Sequence, residues 1–96
     1  MQGLKEEVRV RLGQTVSTPG ALTALLEAGQ SPMEFLSRHV RGDWGDVPPE
    51  DATANNEALR TGSRLLSSYK TRKGEKLWII TEADRSVTTI LLPHEY

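Results

Sequence analysis

Two periods alternate along this chain, and the places where one gives way to the other divide it into elements. Over Leu4–Ser17, Val8, Val10 and Leu12 fall on one side and Glu7, Arg9 and Arg11 on the other. Period two with charges outward predicts a half-buried strand, and the charged outer face suits a sheet edge. Gly13 ends or bulges it. The period then lengthens. Ala21, Leu22, Leu25 and Leu26 form one stripe at helical spacing, opened by Thr18 as N-cap and Pro19 at the first helical position, and stopped by Gly29. Ser31-Pro32 repeats the device at once, and Glu34 completes a capping box with Ser31. Met33, Leu36 and Val40, with Phe35 beside them, carry this second helix to Gly42. Gly42-Asp43-Trp44-Gly45-Asp46-Val47-Pro48-Pro49 is loop on every local rule. A third helix is predicted from about Glu50 to Thr61, with acidic residues at its positive end and Gly62 as its stop. Its thin apolar content, mainly Ala54, Ala58 and Leu59, predicts a surface helix with one narrow contact.

From Gly62 onward the pattern is that of strands. Ser63–Lys70 carries Leu65, Leu66 and Tyr69, and Arg72-Lys73-Gly74-Glu75 reads as a glycine-containing hairpin turn. Leu77-Trp78-Ile79-Ile80 and Val87-Thr88-Thr89-Ile90-Leu91-Leu92 are apolar, β-branched runs separated by the turn-capable Thr81–Ser86. They predict a second hairpin with Glu82, Asp84 and Arg85 gathered at its end. The order is therefore β-α-α-α-β-β-β in one compact domain over residues 1–96. This is an α+β fold with an antiparallel C-terminal meander, helices packed on one face, and the N-terminal strand joining one edge. The expected core is Val8, Val10, Leu22, Leu25, Leu26, Leu36, Leu65, Ile79 and Leu91.

Composition narrows what such a domain can do. A chain of 96 residues holds a single small core. The chain has no cysteine, which removes disulfides, thiolate zinc sites and a thiol nucleophile together. Its two histidines, His39 and His94, lie far apart, so no histidine-rich metal site is expected. Gly-rich phosphate loops, a Ser-His-Asp set with its elbow and H-E-x-x-H are all missing, and no cofactor is expected. No apolar run approaches the ~20 residues that cross a bilayer. Met1–Glu7 lacks the apolar core of a signal peptide, so a cytoplasmic location is expected. Twelve basic and 13 acidic residues leave a net charge of −1, without the basic excess of a tight non-specific nucleic-acid binder. Lys70, Arg72, Lys73 and Lys76 nonetheless cluster around one turn, where they either blunt the hairpin or touch a phosphate backbone.

Three segments carry a resemblance. Thr18-Pro19-Gly20-Ala21-Leu22, Gly42-Asp43-Trp44-Gly45, and Trp78-Ile79-Ile80-Thr81-Glu82-Ala83-Asp84-Arg85-Ser86 on to Leu91-Leu92-Pro93 are similar to a family of small plasmid-related proteins. These are encoded on plasmids and other bacterial mobile elements, and the similarity spans Leu12 to Tyr96. It implies a mobile-element setting and brings no activity with it. The expectation is a small non-catalytic interaction protein, an anti-defence inhibitor that binds a host or defence-system protein. Trp44, Glu82, Asp84 and Arg85 are its candidate binding residues, aromatics being usual interface anchors. Trp44 has a second reading, as a lid folded back on the small core. Glu82, Asp84 and Arg85 likewise read as a solvated turn.

The order of the C-terminal strands also resembles barnase-like microbial ribonucleases, through Arg64-Leu65-Leu66-Ser67-Ser68, Leu77-Trp78-Ile79-Ile80-Thr81 and Asp84-Arg85 to Thr88. That resemblance implies a metal-independent ribonuclease, a toxin, as the alternative. Arg64 would match a phosphate-binding arginine, and Arg85 would stand where that family keeps its catalytic histidine. Glu82, Thr88 and His94 complete the candidate set. The chain departs from the family at Arg85, because arginine stays protonated: it can hold a phosphate but cannot shuttle the proton of general acid catalysis. The discriminating feature is whether Arg64, Arg85 and a carboxylate or histidine share a concave face. His39 is expected at a helix C-terminus, where the dipole stabilises a partly charged imidazole. His94, in the tail after Pro93, is expected in solvent.

Overall fold

The structure, a computed structural model, describes residues 9–96. Strand β1 is Gln14–Ser17, helices α1, α2 and α3 are Pro19–Ala28, Pro32–Val40 and Pro49–Thr61, and strands β2, β3 and β4 are Leu65–Lys70, Lys76–Thr81 and Val87–Leu91. The order is the predicted β-α-α-α-β-β-β. A short 3-10 turn, Pro93–Glu95, follows β4.

The first strand is where sequence and structure part most. Leu4–Val8 lies outside the described residues, and in the described part pairing begins only after Gly13. Alternation supplies a face but not a partner. The partner is β4, five residues long, and it takes up Gln14 to Ser17 in register with Val87 to Ile90. The β1–β4 pair is parallel, so the sheet is mixed, in the order β1-β4-β3-β2, and the antiparallel part is the meander. Leu12 and Val10 still pack inward, ahead of the strand rather than within it.

Register divides the sheet into two faces. Leu65, Ser67 and Tyr69 of β2 stand with Leu77, Ile79 and Thr81 of β3 and with Thr88 and Ile90 of β4. All eight are buried, and this is the face the helices cover. Thr18 opens α1 by accepting from Ala21 N at 3.2 Å, and Gly29 closes it with φ 66°, a left-handed turn that a side chain resists. The buried side of α1 is Ala21, Ala24, Leu25 and Ala28. These also stand at i, i+3, i+4 and i+7, and their small side chains let the helix lie close to the sheet. Leu22 and Leu26, expected in the core, consequently face outward at 46% and 76% exposure.

Helix α2 starts where predicted, Ser31 Oγ accepting from Met33 N at 3.1 Å. The capping box does not form. Glu34 instead accepts from Gln30 Nε2 at 2.8 Å, while Gln30 Oε1 accepts from Arg72 N at 2.8 Å, so one side chain ties the α1–α2 joint to the β2–β3 turn. Phe35, Leu36 and His39 point inward, and Met33 is exposed. Helix α3 buries only Asn55 and Ala58, the narrow contact its composition implied.

Strand β2 ends the sheet, and its outer edge is closed. Asn55 Oδ1 accepts from Leu66 N at 3.1 Å and Nδ2 donates to Leu66 O at 2.8 Å, so a side-chain amide takes the place of a neighbouring strand. Ser68 N donates to Trp44 O at 3.0 Å, and Asp46 N to Ser68 O at 2.6 Å. Between them Gly45 has φ 76°, and a Cβ there would overlap Ser68 O. Only glycine lets the loop come this close.

Candidate functional site

The charged hairpin end proves to be a turn that holds itself and the neighbouring helix. Arg85 has φ 61°, the one non-glycine residue with positive φ among the described residues. Its Nη1 donates to Ser63 O at 2.7 Å, Glu82 O at 3.2 Å and Ala83 O at 3.3 Å, and its Nη2 to Ala58 O at 3.2 Å. Ala58 O belongs to the negative, C-terminal end of α3, where a cation is stabilising. The guanidinium thus fastens α3 and the start of β2 to the β3–β4 turn. Asp84 Oδ1 accepts from Ser86 N at 3.0 Å, and the Ser86 hydrogen bonds hold this carboxyl below its usual range. Glu82 closes the turn through its backbone, N–H to Val87 O at 3.0 Å and C=O from Arg85 N at 2.9 Å.

Trp44, expected at or near the surface as an anchor, is 6% exposed. Its indole stands edge-on to His39 with ring centres 5.7 Å apart, donates Nε1–H to Asn56 Oδ1 at 3.0 Å, and packs with Val10, Ala58 and Leu65. It is the lid of the second reading. The loop carrying it is pinned by the Arg38–Asp43 ion pair at 2.7 Å, which holds the Asp43 carboxyl below its ordinary value, and by Tyr69 OH donating to Asp43 O at 2.6 Å.

The ribonuclease set is not brought together. Thr88 is buried beneath the helices, His94 is exposed in the C-terminal turn, and Arg64 Nη1 donates to Tyr96 OH at 2.6 Å on the other side of the sheet. Arg85 touches Ser63 O next to Arg64, but its Nη1 and Nη2 are turned onto four backbone carbonyls.

What lies at the centre of the domain is a chain of hydroxyls around His39. The Nδ1 of His39 is 2.6 Å from Ser67 Oγ and the Nε2 is 2.9 Å from Thr81 Oγ1; Thr81 Oγ1 is 2.8 Å from Thr88 Oγ1, which donates to Leu12 O at 2.7 Å. A carbonyl only accepts, a hydroxyl has one proton and a neutral imidazole has one N–H, so with the ring neutral every direction follows from the last bond. Thr88 gives its proton to Leu12 O, Thr81 gives its own to Thr88, and Thr81 therefore accepts Nε2–H from His39. That leaves Nδ1 as acceptor of the Ser67 proton. His39 is the neutral Nε2–H tautomer, with its pKa lowered to about 4 by burial and then by the charge of Arg85. A partly charged imidazole stabilised by the helix end is thereby corrected: the ring is withdrawn from water, and desolvation outweighs the dipole.

A serine hydroxyl on a neutral imidazole nitrogen is the geometry of nucleophile activation. Here Ser67 and His39 are both at 0% exposure. Two grooves among the described residues lie elsewhere, one of about 270 Å³ between α3 and β2 and one of about 350 Å³ beside the start of α1. No substrate atom reaches the pair. Sequence reasoning missed the network because four elements supply its side chains, although Ser67, Thr81 and Thr88 at inward-facing strand positions were the available signal.

Among the described residues, none of α1, α2 and α3 covers the opposite sheet face, which meets the short Pro93–Glu95 turn. Leu66, Ser68 and Lys70 of β2, Lys76, Trp78 and Ile80 of β3, and Thr89 and Leu91 of β4 share it by register. The Trp78 and Tyr96 rings meet edge to face at 5.9 Å, and the Arg64 guanidinium stands 5.6 Å from the centre of the Tyr96 ring. The last turn is anchored by Glu95, whose carboxylate accepts from Thr18 Oγ1, from Gly20 N at 3.0 Å and from Leu92 N at 2.8 Å. These bonds hold its carboxyl below the usual range and fill the N-terminus of α1 with the chain's own anion.

Among the described residues no three histidine, aspartate or glutamate side chains gather as metal ligands, and no helix is long and apolar enough to cross a membrane. Comparison with known proteins returns no matching family model, curated protein or solved structure.

Proposed function

We propose that this chain is a small non-catalytic interaction protein that acts by occupying a partner protein through the outer side of its first two helices. The carrying observation is the exposure of Leu22 at 46%, Leu26 at 76% and Met33 at 62%. Leu22 and Leu26 stand one turn apart on the same side of α1, so they form a ridge rather than scattered apolar residues. Water gains nothing from such a ridge, and contiguous exposed apolar surface marks interaction sites. The setting implied by the Thr18–Leu22, Gly42–Gly45 and Trp78–Pro93 similarities fits this reading: a mobile-element product in the cytoplasm whose partner is a host or defence-system protein. Binding alone suffices for such an inhibitor. The burial of Ser67 and His39 and the carbonyl-bound guanidinium of Arg85 support occupancy over turnover.

The test compares the wild type with Leu22→Asp/Leu26→Asp in capture from the bacterial host of a related mobile element. The double variant is expected to keep its melting temperature and lose the partner. Equal capture by the double variant sinks the ridge. Single-stranded RNA incubated with the purified protein at neutral pH is expected to stay intact; cleavage that disappears in Arg85→Ala would replace this reading with the ribonuclease.

A further inference from the structure

We propose that the helix-free sheet face binds single-stranded nucleic acid, with Trp78 and Tyr96 as stacking surfaces and Lys70, Lys76 and Arg64 as phosphate partners. This face lies across the sheet from the helical layer, so the proposal is independent of the leucine ridge.

Charge is the first argument. The β2–β3 hairpin carries Arg64, Lys70, Arg72, Lys73 and Lys76 against a single acid, Glu75, in a chain whose net charge is −1. The described ion pairs are Arg38–Asp43 and Arg60–Glu57, and neither uses a hairpin cation. Lys70 and Lys76 are register partners, and like charges directly opposite each other are destabilising. A polyanion laid across the hairpin removes that repulsion. Glu82 lies beyond Ile80 on the same face and Asp51 beside Arg64 in the α3–β2 groove, so the cationic end is the one at the turn.

What is left accessible is the second argument. Ile80 and Leu91, the aliphatic floor of this face, are already 3% and 5% exposed. A protein partner would find little aliphatic surface to dry, and the β2 edge is closed to an added strand by Asn55 and the Trp44–Gly45 segment. Tyr96 remains 69% exposed, beside the half-buried Trp78 and under the Arg64 guanidinium. Aromatic rings bordered by cations are what a single strand requires, because every base has a π-face to stack and every linkage a phosphate to neutralise. From Arg64 to Lys70 the strand runs roughly 20 Å, room for a strand of a few nucleotides. A duplex hides its base faces and cannot use the rings.

Fluorescence anisotropy with labelled ten-nucleotide oligo-dT and oligo-rU at low salt tests this, with tryptophan quenching as a second signal. The wild type is expected to bind, more weakly as salt rises. Trp78→Ala and Tyr96→Ala are each expected to weaken binding about ten-fold, as loss of a stacking platform does. Lys70→Gln/Lys76→Gln should weaken binding and flatten the salt dependence, while Leu22→Asp/Leu26→Asp should bind as the wild type does. Should Trp78→Ala lower the melting temperature, the exposed Tyr96 and lysine variants carry the test. Preference between the two oligomers distinguishes DNA from RNA as the natural strand. The proposal is overturned by absence of binding at low salt, by equal affinity for a duplex of the same length, or by unchanged binding in the Tyr96 and lysine variants. A captured protein that depends on Trp78 and Tyr96, with no oligonucleotide bound, would assign the face to protein and likewise overturn it.

Discussion

His39 should make the domain acid-sensitive in a window set by a single proton. In the unfolded chain the imidazole titrates at 6.5; in the fold, burial and the nearby Arg85 lower it to about 4. Above 6.5 both states hold it neutral and the stability is fully present. As the pH falls toward 4, unfolded molecules bind a proton that folded ones refuse, and stability declines by ~1.36 kcal/mol per pH unit, about 3 kcal/mol in all. Set against the roughly 5–15 kcal/mol of a typical domain, this is a large loss from one side chain. Burial is the leading cause, and a proton on Nδ1 would in addition require Ser67 to turn its hydroxyl hydrogen away from the ring. Urea unfolding at intervals from pH 7 to 4.5 measures the slope, and His39→Gln removes the titrating group. The variant should be less stable at pH 7 yet lose less on acidification. Asp43 and Glu95, whose carboxyls are lowered, add losses in the same direction that set in only as the pH enters the ordinary carboxylate range, at the bottom of this window. Wild-type stability that stays flat from pH 7 to 4.5, or an equal decline in His39→Gln, would refute the account of a buried neutral imidazole.

Adjacent leucines on α1 should behave oppositely. Leu25→Ala is expected to cost about 2–5 kcal/mol, as a cavity in a packed core does, whereas Leu26→Ala should change stability by less than about 0.5 kcal/mol. Equal costs in denaturant would mean that the helix presents another side to the sheet. Asn55→Ala leaves Leu66 N–H and C=O without their amide partner, and a loss of about 1–3 kcal/mol is expected. Light scattering should also rise, since an uncovered edge strand invites pairing; a variant as stable and monomeric as the wild type would show that Asn55 does not close the edge.

Features that depend on a few neighbouring residues were legible in the sequence, and those that depend on distant partners were not. Thr18-Pro19 and Ser31-Pro32 start helices, and Gly29 and Gly62 stop them, because a cap is settled within one turn. Both hairpins were equally plain. The inward side of α1 was not, since large leucines outweigh alanines in any hydrophobic pattern while a sheet at close range selects the small ones. The start of β1 was invisible because its length is set by β4, more than sixty residues later in the chain. At the candidate site, Glu82, Asp84 and Arg85 read from sequence either as a cluster facing a partner or as a solvated turn, and neither reading contains the carbonyls that Arg85 binds. A sequence displays charges but not the backbone carbonyls that, at a turn and a helix end, take them up.

The relay also explains how so small a core specifies one arrangement. Along β2, Leu65 belongs to the cluster with Val10, Trp44 and Ala58, while Tyr69 belongs to the cluster with α1 and α2. Ser67 stands between them. Leu12 packs against both clusters, and its carbonyl ends the hydroxyl chain. Apolar contacts would tolerate small shifts of the elements, because dispersion has no direction and aliphatic side chains substitute for one another. Hydrogen bonds do not. A one-residue slip of β3 would turn Thr81 to the opposite sheet face and bring Glu82 or Ile80 to His39, leaving the buried imidazole and Thr88 without their partners. Each bond in the relay therefore fixes one neighbour: α2 to β2, α2 to β3, β3 to β4, and β4 to the segment before β1. With every donor matched, the network holds four elements in a single register. The backbone positions of the outer surfaces follow from that register, so the α1 turn that carries Leu22 and Leu26 and the β3 position of Trp78 are set on opposite sides of the sheet by the same network.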